Sequence, residues 1–302
     1  MTLFSAIIIV TGLILFEIIS SIDNAIINAE VLTTMSQRAR RWFLFWGILF
    51  AVFIVRGFLP WLIVWAVNPG LGPIGAMTAT FSSDPAIKES IEQSAPILLA
   101  GGGIFLIFLF LHWLFLEDKH FGLPRTEKFF LSQGVWFYAI VSIVLTAVVW
   151  FSLSINNLMA LGAVVGSTAF FITHGFKQNA EENEKKLLTA KFTDISKVLY
   201  LEIIDATFSI DGVLGAFAFT LSIPLILLGN GIGALVVRQL TIKGIGKIKE
   251  YVYLKNGAMY SILVLGLIML LRAFGHEIPE YVSPVATFII IGYFFALSLK
   301  HK

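Results

Sequence analysis

The sequence predicts an all-α, polytopic membrane protein with about nine transmembrane helices in an inverted-topology repeat. Three observations carry this reading. The 302 residues are 58% hydrophobic and only 13% charged, whereas a soluble domain carries about 25% charged residues. Apolar runs repeatedly approach the roughly 20 residues that span a bilayer as a helix, and no ten-residue alternation typical of a membrane barrel recurs. An acidic pattern also occurs twice inside apolar runs: Glu17 with Ser21-Ile22-Asp23-Asn24, and Asp205 with Ser209-Ile210-Asp211-Gly212. Carboxylates in membrane helices cost several kcal/mol and usually mark function.

The first span covers residues 3–32 and is interrupted by Ser20, Ser21, Asp23, Asn24 and Asn28. It lacks the basic start of a cleavable signal. A basic loop at 36–41 leads to the second span, 42–67, which holds Arg56. Residues 68–96 read as a polar loop rich in Gly, Pro and Ser. The third span, 97–116, opens on Gly101-Gly102-Gly103, a pattern expected of close helix packing. The fourth and fifth, 129–152 and 156–173, turn at Asn156-Asn157. A solvated run, 174–197, reads as a cytoplasmic linker helix between a first membrane half (1–173) and a second (198–302). The sixth span, 198–221, holds Glu202, Asp205 and Asp211; the seventh, 225–242, holds Asn230 and Arg238; the eighth and ninth are 254–271 and 281–299.

Lysines and arginines orient the chain, because cytoplasmic loops carry the excess of them. With the N-terminus outside and the C-terminus in the cytoplasm, Arg38, Arg40, Arg41, Lys119, Arg125, Lys128, Lys177, Lys185 and Lys186 are all cytoplasmic, and only Lys88 and Arg272 fall outside. The first span then runs inward and the sixth outward, so the acidic pattern repeats in opposite directions. Arg56 and Arg238 each follow an acidic helix. Inverted repeats of this kind place ion or substrate sites near the midplane.

At about 100° per residue, Glu17, Asn24 and Asn28 share one stripe, and Glu202, Asp205 and Ser209 share another. Asp211 faces away from Glu202 unless the helix opens between Ser209 and Gly212, which glycine would ease. The metal-ligand set expected is Glu17, Asp23, Asn24, Asn28, Glu202, Asp205 and Asp211, with Asp23 and Asp211 meeting. These hard oxygen donors suit Mg²⁺, Ca²⁺ or Mn²⁺, and the absence of cysteine removes thiolate ligands. Arg56 and Arg238 either compensate the buried acids or bind an anionic substrate. Glu30 reads as a residue of the mouth, His112 as interfacial, and His174 and His276 as loop residues.

At these residues the sequence resembles the TerC integral-membrane family of the LysE-type transporter superfamily. The acid six residues before Asp-Asn is Glu17 with Asp23 and Asn24. The second family pattern appears as Glu202, Asp205, Phe208, Asp211 and Gly212, with glycine in place of the usual serine. Arg56, Asn230, Arg238, Leu254-Lys255 with Gly257, and His276 with Pro279 match further positions. The 68–96 loop and 174–197 linker depart from the pattern, as in a divergent branch. The resemblance implies export of a divalent cation from the cytoplasm, Mn²⁺ first and Ca²⁺ second, exchanged against protons or sodium.

The expected protein is thus an integral transporter of the cell membrane with no permanently bound cofactor and no nucleic-acid partner; an oligomer is compatible with the sequence. A LysE-like exporter of a small organic solute and a non-transporting membrane scaffold are the competing readings. An enzyme is not expected, since no nucleophile–base pair, His-Glu-x-x-His or nucleotide-hydrolysing motif occurs.

Overall fold

A computed structural model describes residues 3–47, 50, 56–79, 85–189, 193–243 and 250–301, without the side chains of 23, 27, 44, 77–79, 85–92, 180–189, 208 and 242–243. Every regular element among the described residues is helical. The chain begins with α1 (Leu3–Ser20), α2 (Ile22–Thr33) and α3 (Gln37–Trp42), which runs into a π-helical turn at Phe43–Gly47. Next come α4 (Arg56–Val67), α5 (Gly72–Ala79), α6 (Pro85–Leu116), α7 (Pro124–Ser132), α8 (Phe137–Leu153) and α9 (Asn157–Thr189). The second half holds α10 (Asp194–Ala216), α11 (Ile223–Lys243), α12 (Leu254–Ala273) and α13 (Val282–Lys300).

Among the described residues, seven helices are long and apolar enough to cross a membrane, or up to eight if α4 and the segment after it, bent by 104°, form one span. The expected second and sixth spans are the ones that do not qualify as single helices. The second includes residues outside the described set. The sixth, α10, carries Asp194, Lys197, Glu202, Asp205 and Asp211 within its 23 residues.

Local chemistry sets the helix ends. The Ser36 side chain accepts from the Ala39 amide to cap α3, and Thr193 accepts from Ser196 to cap α10. Between α8 and α9 the Asn156 side chain accepts from the Leu158 amide at 2.8 Å, which fixes the expected turn.

Several expectations are resolved by the structure. The first span is two helices, α1 and α2, separated by Ser21, although the ladder continues across it through Ser21 N–H to Glu17 O (3.1 Å) and Ala25 N–H to Ser21 O (2.9 Å). Of the two readings of Asp211, the second holds: the helix does not open between Ser209 and Gly212, and the carboxylate faces a different neighbour, Lys177. Helix α10 runs unbroken through Gly212, which instead admits the Glu17 side chain: a Cβ there would lie 2.6 Å from Glu17 Oε2. The run from 174 is not a separate helix, because α9 continues to Thr189 through a stretch of Glu, Lys, Ala and Gln, which favour helix. His174 therefore lies within α9 rather than in a loop. Likewise, α5 and the first turns of α6 occupy much of the expected 68–96 loop.

Helix α6 is the central element, with 83% of its apolar window buried against 11% for the peripheral α8. It packs on α9 and α12. The glycine run allows this, as expected of it: a Cβ on Gly101 would lie 2.8 Å from Gly162 O, and one on Gly103 would lie 3.0 Å from Gly266 O. Helix α1 lies along α11, approaching at Gly229 and Gly233, which face Leu13 and Glu17.

Candidate functional site

The acids of α1 and α10 lie where these helices meet α4 and α11. Glu17 is 1% exposed. Its Oε1 accepts from Arg56 Nη2 at 2.5 Å, Arg56 Nε at 3.2 Å and Ser21 Oγ at 3.0 Å. The carboxylate fits because α10 and α11 present glycines to it; a Cβ on Gly233 would lie 2.6 Å from Glu17 Cβ.

A second acid–arginine pair lies in the other half. Arg238 Nη2 is 3.8 Å from Glu202 Oε1, and the guanidinium sits over the Phe43 ring, 4.1 Å from its centroid. This pair packs against Gly47. The arrangement is reciprocal. The pair built by residues 17 and 56 rests on glycines of the second half, and the pair built by 202 and 238 rests on a glycine of the first.

Asn24 Nδ2 donates to Asp205 Oδ1 at 2.5 Å, joining α2 to α10. Asp205 also acts electrostatically on both Arg56 and Arg238. Glu17, Glu202 and Asp205 thus share one buried layer with two arginines, leaving one carboxylate in excess among the described side chains. Asn230, fully buried, donates to Gly212 O at 3.4 Å beside this layer.

Asp211 takes a different partner. Its Oδ2 accepts from Lys177 Nζ of α9. Asp211 and Lys177 line a cavity of about 540 Å³ that also includes His112, Glu117, His174 and Lys255. The His112 and His174 rings lie 3.9 Å apart, and His112 Nδ1 is 3.4 Å from Glu117 Oε1. Just beyond the end of α6, burial alone would raise the Glu117 carboxyl. The His112 imidazole at 3.4 Å and Lys255, whose Nζ is 2.9 Å away, outweigh it and hold the carboxyl down at about 2.

Of the expected ligands, Glu17, Asn24, Glu202 and Asp205 are brought into one layer. Asn28 is also buried, at 3% exposure on α2. Asp23 lies in α2, but its side chain is outside the described residues, as is therefore its expected meeting with Asp211. Glu30 is exposed near the end of α2. Sequence reasoning missed Lys177, placed among the cytoplasmic residues, and the pairing of His112 with His174. The available signal for Lys177 was its place shortly after the fifth apolar run, within reach of a helix that continues.

Seven buried side-chain oxygens here have no hydrogen-bond partner: Glu17 Oε2, Asn24 Oδ1, Asn28 Oδ1, both oxygens of Glu202, Asp211 Oδ1 and Asn230 Oδ1. Buried polar atoms are ordinarily satisfied. Among the described residues no three His, Asp or Glu side chains converge closely enough to hold a metal ion. The arrangement is a set of hard oxygen donors held apart by cationic partners.

Over residues 22–302 the chain matches the family described as "Protein of unknown function (DUF475)". The chain belongs to this family. A segment of 102 residues is 33% identical to the "Uncharacterized membrane protein YceF" of Bacillus subtilis (strain 168), covering 34% of this chain and 38% of that relative. No solved structure shows significant similarity to the chain. This DUF475 member is accordingly a membrane protein, helical in every regular element among the described residues, and α1, α2, α4, α10 and α11 enclose a buried layer of acids, amides and arginines.

Proposed function

We propose that this DUF475 protein is a secondary transporter that exports a divalent metal cation, Mn²⁺ first and Ca²⁺ second, through the buried layer of Glu17, Asn24, Asn28, Glu202 and Asp205 and the nearby Asp211. The observation that carries this reading is the group of unpartnered buried oxygens. Each costs free energy when left unsatisfied, and a hard cation coordinated by carboxylates and amides would satisfy several at once. The resemblance to the TerC family supports the same cargo.

The reading includes nine spans, the N-terminus outside and the C-terminus in the cytoplasm, with two inverted halves. The reciprocal packing of each acid–arginine pair on glycines of the other half supports the inverted repeat, and the unusually charged α10 is the sixth span. In this conformation Arg56 neutralises Glu17 and Arg238 neutralises Glu202, so a cation is exchanged for protein contacts rather than added to bare carboxylates. Exchange against protons or sodium supplies the driving force.

Proteoliposomes containing the purified chain test the function. Mn²⁺ or Ca²⁺ flux is expected along an imposed proton or sodium gradient, and Asp205→Asn should reduce it at least tenfold while the protein stays folded. Export of a small organic solute with no divalent-cation flux would replace this reading with the LysE-like one.

A further inference from the structure

Glu17 and Glu202 face arginines and Asp205 faces an amide, whereas Asp211 faces a lysine. Guanidinium and ammonium differ in what they permit. Arg56 grips Glu17 through two nitrogens of a rigid planar fork. Lys177 is a compact point charge on a flexible stem that reaches Oδ2 of Asp211 through a single nitrogen; the buried Oδ1, like Oε2 of Glu17, has no hydrogen-bond partner. One contact is fixed in its geometry and the other can swing away.

The surroundings give the lysine somewhere to go. Side-chain exposure along the cavity falls from 35% at Lys255 and 30% at Glu117 to 12% at Lys177 and Asp211. The cavity therefore runs inward from the end of α6 to Asp211. Its inner end adjoins the acidic layer, since Gly212, next to Asp211, packs on Glu17. Glu117 lines the same cavity, so a lysine leaving Asp211 finds a second carboxylate there, shared with Lys255, and is not stranded as an unpaired buried charge.

We propose that Lys177 is a tethered competitor for the transported cation: its ammonium occupies Asp211 until a divalent cation, entering through this cavity, displaces it. The proposal rests on the cation-export reading. Lys177 swings toward Glu117, while the cation takes both oxygens of Asp211. A built-in competitor keeps Asp211 paired between transport events, sets the threshold concentration for loading, and favours divalent over monovalent cations, which offer less charge to displace an ammonium.

Equilibrium Mn²⁺ binding to the purified full-length protein in detergent tests this, comparing wild type with Lys177→Gln, Lys177→Arg and Asp211→Asn. If the Lys177–Asp211 pair is closed about nine-tenths of the time, removing the competitor raises apparent affinity about tenfold. Lys177→Gln is therefore expected to bind Mn²⁺ about tenfold more tightly. Lys177→Arg, whose fork can hold both oxygens, should bind several-fold more weakly, and Asp211→Asn should lose most binding. Should Lys177→Gln fail to fold, Lys177→Arg decides alone. Wild type that binds Mn²⁺ while Lys177→Gln binds equally or more weakly, or while Lys177→Arg binds as well as wild type, overturns the tethered competitor and leaves the export reading standing. If neither wild type nor any variant binds Mn²⁺ or Ca²⁺, the export reading itself fails and the proposal with it.

Discussion

The block of α6, α9 and α12 and the seam of α1, α2, α4, α10 and α11 are both buried helix contacts, built on opposite principles. In the block, Ala100, Ile104, Phe105 and Phe108 are at most 1% exposed, and glycines bring backbones together. Packing of small residues is the ordinary way that membrane helices associate. In the seam, glycines make room for side chains that carry charge, and buried oxygens are left unpartnered. Buried ion pairs add little net stability, yet breaking one is costly. The block is what the fold needs to hold together; the seam is a costly arrangement that makes sense if something binds there.

The largest effect expected from breaking this contrast comes from stranding a charge in the seam. Arg56→Met leaves Glu17 without its partner and should cost about 3–5 kcal/mol. Adding Glu17→Gln should recover most of it. Thermal unfolding in detergent, compared across the two single variants and the double, checks both.

In the block, Gly162→Val drives a side chain onto the Ile97 carbonyl, since a Cβ there would already lie 2.5 Å from it. A cost of up to about 3 kcal/mol is expected from overpacking. Unlike the seam variants, it should leave the Mn²⁺ dependence of melting unchanged, and a changed metal response would blur the division between the two regions.

A smaller effect is expected at the amide that joins the halves. Asn24→Ala removes the hydrogen bond to Asp205 and should cost about 1–2 kcal/mol, with weaker Mn²⁺ binding as the more informative readout. Unaltered binding would remove Asn24 from the ligand set.

The smallest effect concerns pH. Because the folded Glu117 carboxyl is held at about 2, below its ordinary 4.5, its contribution is fully present above about pH 4.5 and is lost as pH falls toward 2. Glu117→Gln should flatten the melting temperature slightly across that window, an effect kept modest by the 30% exposure of the side chain. An identical acid profile in the variant would remove Glu117 from the acid response.

Much of the seam was legible in the sequence because charge is conspicuous in an apolar run. Glu17, Glu202, Asp205, Arg56 and Arg238 stood out for that reason, and helical spacing put Asn24 on the stripe of Glu17. Their pairing was harder to read. Which arginine meets which acid depends on how α4 and α11 cross the acidic helices, and spacing along one helix does not contain that. The sequence does not decide whether α10 opens or Asp211 meets another neighbour, because a glycine in a helix has two uses, opening the backbone or admitting a neighbour, and Gly212 serves the second. Lys177 escaped notice because a solvated composition was taken to end the span, whereas α9 continues without a turn. The pairing of His112 with His174 joins two helices far apart in sequence, and no local pattern announces it.

The claim that the seam is shaped for a cation rather than for stability is tested most directly by the melting temperature of Asp205→Asn, measured with and without Mn²⁺. Among the described side chains of the seam, removing this charge balances Glu17 and Glu202 against Arg56 and Arg238. The metal-free variant should therefore melt at or above the wild type. Wild type should be stabilised by Mn²⁺ through mass action, and the variant should lose most of that rise. A variant that melts well below wild type yet keeps the full Mn²⁺ shift would contradict the account.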